Sequence, residues 1–64
     1  MVDSMVVESL KISSGKKIIF WDNAGRRNEG KVLDCSDDYL KFYDEFKNCE
    51  RFIRIEDLKE VQIK

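Results

Sequence analysis

The 64-residue sequence contains no histidine, only two cysteines and no apolar run longer than four residues, and its charges nearly cancel. Each shortage removes a class of function. Without histidine, a zinc site would have to draw on poorer ligands, and general acid–base work loses the side chain that titrates near neutrality. Two cysteines are too few for a disulfide framework. The longest apolar run, Ile18-Ile19-Phe20-Trp21, is far short of the roughly 20 residues that a membrane helix needs. The first residues, Met-Val-Asp-Ser-Met-Val-Val-Glu, have neither the basic start nor the apolar core of a secretory signal, so the expected setting is cytoplasmic with no membrane association. A chain this short hides only about 60% of its unfolded surface. One domain without a deep cleft is expected, not an enzyme.

What the sequence does contain is a globular composition, 42% hydrophobic and 39% charged. Twelve basic and thirteen acidic residues give a net charge of −1, so no whole-molecule field draws the chain to nucleic acid. The first half carries six basic and four acidic residues, the second six basic and nine acidic. A nucleic-acid site must therefore be a local patch.

Val2, Met5, Val6 and Leu10 recur at spacings of three and four, which predicts one face of a short helix or an arm over residues 1–15. A strand over residues 6–12 is the alternative, and no clear cap decides between them. Ser13-Ser14-Gly15 breaks the pattern. Residues 16–22 then read as a strand rich in β-branched and aromatic residues, and Asp22-Asn23-Ala24-Gly25 as a hairpin turn with Gly25 in the left-handed position. A long second strand follows over residues 26–35, with Gly30 suited to a bulge or sharp bend. Ser36-Asp37-Asp38 turns the chain into a third strand, residues 39–43, in which Leu40 and Phe42 face one way and Tyr39, Lys41 and Tyr43 the other. After a loop over residues 44–50, residues 51–55 form a fourth strand with Ile53 and Ile55 inward and Phe52 and Arg54 outward. Glu56-Asp57-Leu58 is short enough for one helical turn, and residues 59–64 make a fifth strand burying Val61 and Ile63. Five short strands and one helical turn over residues 16–64 predict an all-β, five-stranded SH3-like barrel.

Within that frame, Gly30-x-Val32 with Leu40-x-Phe42, and Ile53-Arg54 with Leu58 and Val61, resemble the two motifs of the Sm-like family of small barrels. The resemblance implies a helix before five strands, RNA binding by the loops after strands two and four, and edge-to-edge assembly into homo-oligomers. Cys35, Ser36, Asp38 and Tyr39 stand where that family has its aromatic, Asp, Met and Asn; Ile55 and Asp57 replace a Gly and an Asn. The two loops carry Asp34, Asp37, Asp38, Glu56 and Asp57, and acidic loops repel phosphate.

The candidate site is therefore the outer face of strands three and four: Tyr39, Lys41, Tyr43, Phe52 and Arg54. Aromatics interleaved with cations are what single-stranded RNA or DNA uses for stacking and phosphate contact, and this is the leading reading. The same mixture suits a protein interface, so an interaction adaptor or small regulator is the alternative. Trp21, Arg26 and Arg27 on the first hairpin form a second surface with Phe46, Lys47 and Arg51, expected at the pole away from the acidic turns. Three other signals have plainer readings. Trp21-Asp22-Asn23-Ala24-Gly25 is similar to a small-GTPase segment, but no phosphate-cradling glycine loop accompanies it. The acidic pairs Asp37-Asp38 and Asp44-Glu45 could meet a divalent cation, yet turn carboxylates are commonly just solvated. Cys35 and Cys49 are expected reduced and separate, because a five-residue strand spans about 17 Å and lies between them. No cofactor is expected.

Overall fold

The computed structural model describes residues 3–64, so Val2 of the expected helix face lies outside the described residues. Helix α1 runs Ser4–Lys11 and is followed by β1 Lys17–Asp22, β2 Arg27–Cys35, β3 Tyr39–Asp44, β4 Cys49–Arg54, a 3-10 turn Ile55–Asp57 and β5 Leu58–Ile63. Asp3 caps the helix, its carboxylate accepting the Val6 N–H at 3.1 Å. That bond supplies the start signal that the sequence pattern did not single out. The buried face is Val7 and Leu10, with Val6 half-buried; Met5, expected beside Leu10, is 78% exposed. The helix is rotated from the expected face because Val7, one turn before Leu10, meets the sheet interior.

The five strands form one antiparallel sheet in the order β4-β3-β2-β1-β5. Its two outer strands follow one another in the chain, separated only by the three-residue turn Ile55–Asp57. In a flat sheet they would lie about 19 Å apart, at roughly 4.8 Å per strand. One 3-10 turn advances only about 2 Å per residue, so the sheet must curl until β4 delivers the chain to β5. Backbone bonds fix that delivery: the Ile55 N–H donates to Asp38 O at 2.9 Å, and the Asn23 N–H to Asp57 O at 3.0 Å.

At Gly30 the neighbouring strand comes too close for any side chain. Gly30 pairs with Ile18 on one side and Asp44 on the other, and a Cβ built there would sit 2.3 Å from the Tyr43 carbonyl oxygen. No other residue type fits without moving β3. A bulge or a sharp bend was expected at Gly30; the bulge lies between Val32 and Asp34, where Leu33 is the extra residue. Gly25 takes φ +81° in the first hairpin, as its turn requires.

The concave side holds the core: Val7, Leu10, Ile18, Phe20, Val32, Leu40, Phe42, Ile55 and Leu58. Phe20 and Phe42 meet edge-to-face with ring centroids 4.9 Å apart. All five strands differ from expectation by one or two residues at an end, and two of the shifts matter most. The fourth strand starts at Cys49, not 51, and Ile55 buries its side chain from the 3-10 turn, not from the strand. Leu58 opens β5 and is fully buried, whereas Val61 and Ile63 are only half-buried.

The early start of β4 follows from Asp44. Its Oδ1 accepts the N–H groups of Phe46 at 2.9 Å and Lys47 at 3.1 Å, and its Oδ2 accepts Arg51 Nη1 at 2.9 Å. The turn is tightened further by Asn48 at φ 54°, a conformation asparagine tolerates. Asp44 is thus a buried structural anchor, not half of an exposed acidic pair. Among the described residues, no helix is long and apolar enough to cross a membrane.

Candidate partner-binding face

Antiparallel register places the five central candidates on one surface. Tyr39 lies opposite Arg54, Lys41 opposite Phe52, and Tyr43 opposite Glu50. Because alternate residues share a face, Leu40, Phe42 and Ile53 between them turn inward and the aromatic and charged set turns out. Tyr39 is 50% and Phe52 61% exposed; their rings meet edge-to-face at 5.7 Å. Lys41 Nζ stands 5.8 Å from the Phe52 centroid, within cation–π range. Tyr43, less exposed, directs its hydroxyl to Asn48 Oδ1 at 3.5 Å.

The cations of this face already have partners. Lys41 Nζ is 3.0 Å from Glu50 Oε1, and Arg54 Nη1 is 3.0 Å from Glu56 Oε1. Both pairs are exposed and contribute little to stability, but they cancel the positive charge that phosphates would seek. At the Tyr39 end a notch is lined by Asp37, Asp38, Tyr39, Arg54, Ile55 and Glu56. Asp37 is held by Lys11 of the helix, and that bond first of all holds the Lys11 ammonium above its usual range. Asp38 has no ion-pair partner among the described residues. At the other end, Lys31, Leu33, Lys41, Tyr43, Glu45 and Glu50 line a second shallow groove. Lys31 and Leu33 were not among the expected site residues, because they lie on β2 and join this face only through the pairing of β2 with β3, in which Lys31 stands opposite Tyr43.

Trp21, Arg26 and Arg27 are not part of this face. Trp21 is half-buried and stands between Arg27 and Glu60 in the sheet; Arg27 Nη2 is tied to Glu29 Oε1 at 2.6 Å. The expected division into an acidic pole and an arginine-bearing pole does not hold. Asn23 of the first hairpin donates its side-chain amide to Glu56 O at 3.1 Å, so this hairpin packs against the acidic β4–β5 turn. The cause is the length of β2. Its first half pairs with β1 and its second half with β3, which displaces the two hairpins from one another.

The two thiols are free, Cys49 exposed and Cys35 half-buried. Cys35 pairs with Leu40 and Cys49 with Asp44, at opposite ends of β3. Burial above all pushes the Cys35 thiol up, with Lys11 opposing and Asp34 and Asp37 adding. No group of three or more histidine, cysteine or acidic side chains suited to hold a metal is formed among the described residues. No protein-family model matches the chain, and no curated protein matches it in sequence.

Proposed function

We propose that the chain is a small, non-enzymatic, cytoplasmic barrel of SH3-like, Sm-like type whose β3–β4 face binds another protein. The barrel reading is supported by the strand order, the preceding helix and the three-residue link between the outer strands. The cytoplasmic setting is supported by two free thiols at opposite ends of one strand.

The observation that carries the protein reading is an exposed aromatic pair, Tyr39 and Phe52, flanked by cations that carboxylates already neutralise at 3.0 Å. Aromatic anchors with a charge-balanced polar rim are the composition of protein interfaces. Single-stranded nucleic acid would need the same rings, but with free cations beside them. Binding to single-stranded RNA or DNA remains the second reading, favoured by the Lys41 ammonium over the Phe52 ring.

Salt and mutation separate the two. Tyr39→Ala with Phe52→Ala should abolish retention of a protein partner while leaving the thermal midpoint within a few degrees, since both rings are largely exposed. Partner binding should change little with salt. Tight binding of an oligouridylate, with affinity falling steeply as salt rises, would replace the protein reading with the nucleic-acid one.

A further inference from the structure

The proposed protein docking leaves open what kind of segment fits, and the following rests on that reading. We infer that the partner presents an extended segment of alternating apolar and basic residues, which adds as a strand to the free edge of β4.

Three observations lead there. The first is the edge itself. β4 is an outer strand paired only with β3, in an unbroken register of six residue pairs with no bulge to twist the edge away. The other outer strand, β5, is bordered by the helix: Asp3, Met5, Val6 and Ser9 line a groove with its Val61 and Ile63. Among the described residues, β4 has no backbone pairing beyond β3.

The second observation is side-chain pattern. A shallow apolar groove at this edge is lined by Tyr39, Phe52, Ile53 and Arg54. Ile53 is inward-facing yet only half-buried, packed on the core with its flank at the edge. An added strand would place one set of alternate side chains beside Ile53 and the other beside Glu50, Phe52 and Arg54, with the Tyr39 ring one strand further in behind Arg54. Apolar residues suit the first set.

The third is charge. Where the outer set would pass the Tyr39 end, the notch carries three carboxylates, Asp37, Asp38 and Glu56, against one cation, Arg54. Lys11 satisfies Asp37 and Arg54 satisfies Glu56, which leaves Asp38 without an ion-pair partner among the described residues. A cationic side chain lying on the Tyr39 ring would neutralise Asp38 and gain the ring's negative face. An acidic segment or a phosphate chain would add repulsion at the same place.

The experiment uses four labelled probes with the full chain: an octapeptide of alternating Arg and Val, its Glu–Val counterpart, an Arg–Val octapeptide with the arginines in one block, and dodecauridylate. Binding is read by fluorescence anisotropy and backbone amide shifts, alongside the mass of the free chain in solution. The expected result is selective binding of the alternating Arg–Val peptide, with shifts concentrated in β4 and at Asp38 and Tyr39. Asp38→Asn should weaken it about fivefold and Asp38→Asn with Glu56→Gln about tenfold, with the amide spectrum of each variant checked for an intact fold. Equal binding of the blocked peptide would overturn strand addition. Equal binding of the Glu–Val peptide on the same face would overturn the basic partner but leave the protein reading standing. Dodecauridylate binding on this face without peptide binding would overturn both. A self-associated chain whose β4 edge is occupied by its own copy, or no binding of any probe, would also overturn the inference.

Discussion

Removing the Asp44 carboxylate should destabilise this protein more than any other single loss of charge in its strands. The side chain is 5% exposed and accepts three hydrogen bonds, two from the backbone of its own turn and one from Arg51. Each such bond contributes about 0.5–1.5 kcal/mol, so Asp44→Ala should lose about 2–4 kcal/mol. A 64-residue domain holds only about 3–10 kcal/mol in total. At roughly 4–8 °C per kcal/mol for a domain of this size, the thermal midpoint should fall by about 8–32 °C. Asp44→Asn keeps an oxygen for the two amides and loses only the charge toward Arg51, which is 39% exposed; a loss of about 1 kcal/mol is expected.

The pH dependence follows from the same contacts. Burial pushes the Asp44 carboxyl up, but the Arg51 guanidinium and the Lys47 and Phe46 amides outweigh it and hold it below its usual range in the folded chain. Between that folded value and the unfolded value of about 3.9, the unfolded chain binds more protons, so stability rises with pH. The contribution is complete above the unfolded value and is lost as pH falls through the folded one. Melts of the parent chain and Asp44→Asn, followed by circular dichroism, should therefore differ near neutral pH and converge in strong acid. A double-mutant cycle with Arg51→Gln should return a coupling of about 1 kcal/mol. A constant gap between the two chains from neutral to strongly acid pH, or a drop of less than about 3 °C for Asp44→Ala, would refute this account.

Two further outcomes test the fold. Gly30→Ala puts a methyl group against the Tyr43 carbonyl and 3.0 Å from the Phe42 ring edge; it should cost about 2–4 kcal/mol, and an unchanged melt would show that β3 is free to move. Thiol labelling at neutral pH should modify exposed Cys49 several-fold faster than half-buried Cys35, whose thiol is raised by burial, and mild oxidation of dilute chain should yield no internal bridge by mass.

Much of the candidate face was legible because strand alternation is a local rule. Once residues 39–43 are a strand with Leu40 and Phe42 inside, Tyr39, Lys41 and Tyr43 must point out, and the structure agrees. The grouping with Phe52 and Arg54 needed only the hairpin pairing of β3 with β4. The division into an acidic and an arginine-bearing pole failed because it depended on long-range placement: the first hairpin bonds to the acidic β4–β5 turn. Trp21, Arg26 and Arg27 were expected with Phe46 and Lys47 from strand direction alone, but a nine-residue β2 serves different neighbours with its two halves. The helix face was misjudged for a similar reason: Met5, Val6 and Val7 are all apolar, and only the sheet beneath selects Val7.

Local chemistry in the sequence by itself determined the number and approximate span of the strands, the hairpin at Gly25, the inward apolar set of β3 and the absence of histidine chemistry. These depend on backbone preference and a two-residue period, both short-range. Tertiary structure alone decided the curl that brings β4 to β5, the pairing of Lys41 and Arg54 with Glu50 and Glu56, and the burial of Asp44. Each of those depends on where a second strand or turn arrives in space. The charge pairing converts a face that reads as basic and aromatic into an aromatic one whose cations, Lys41 and Arg54, are each paired with a carboxylate.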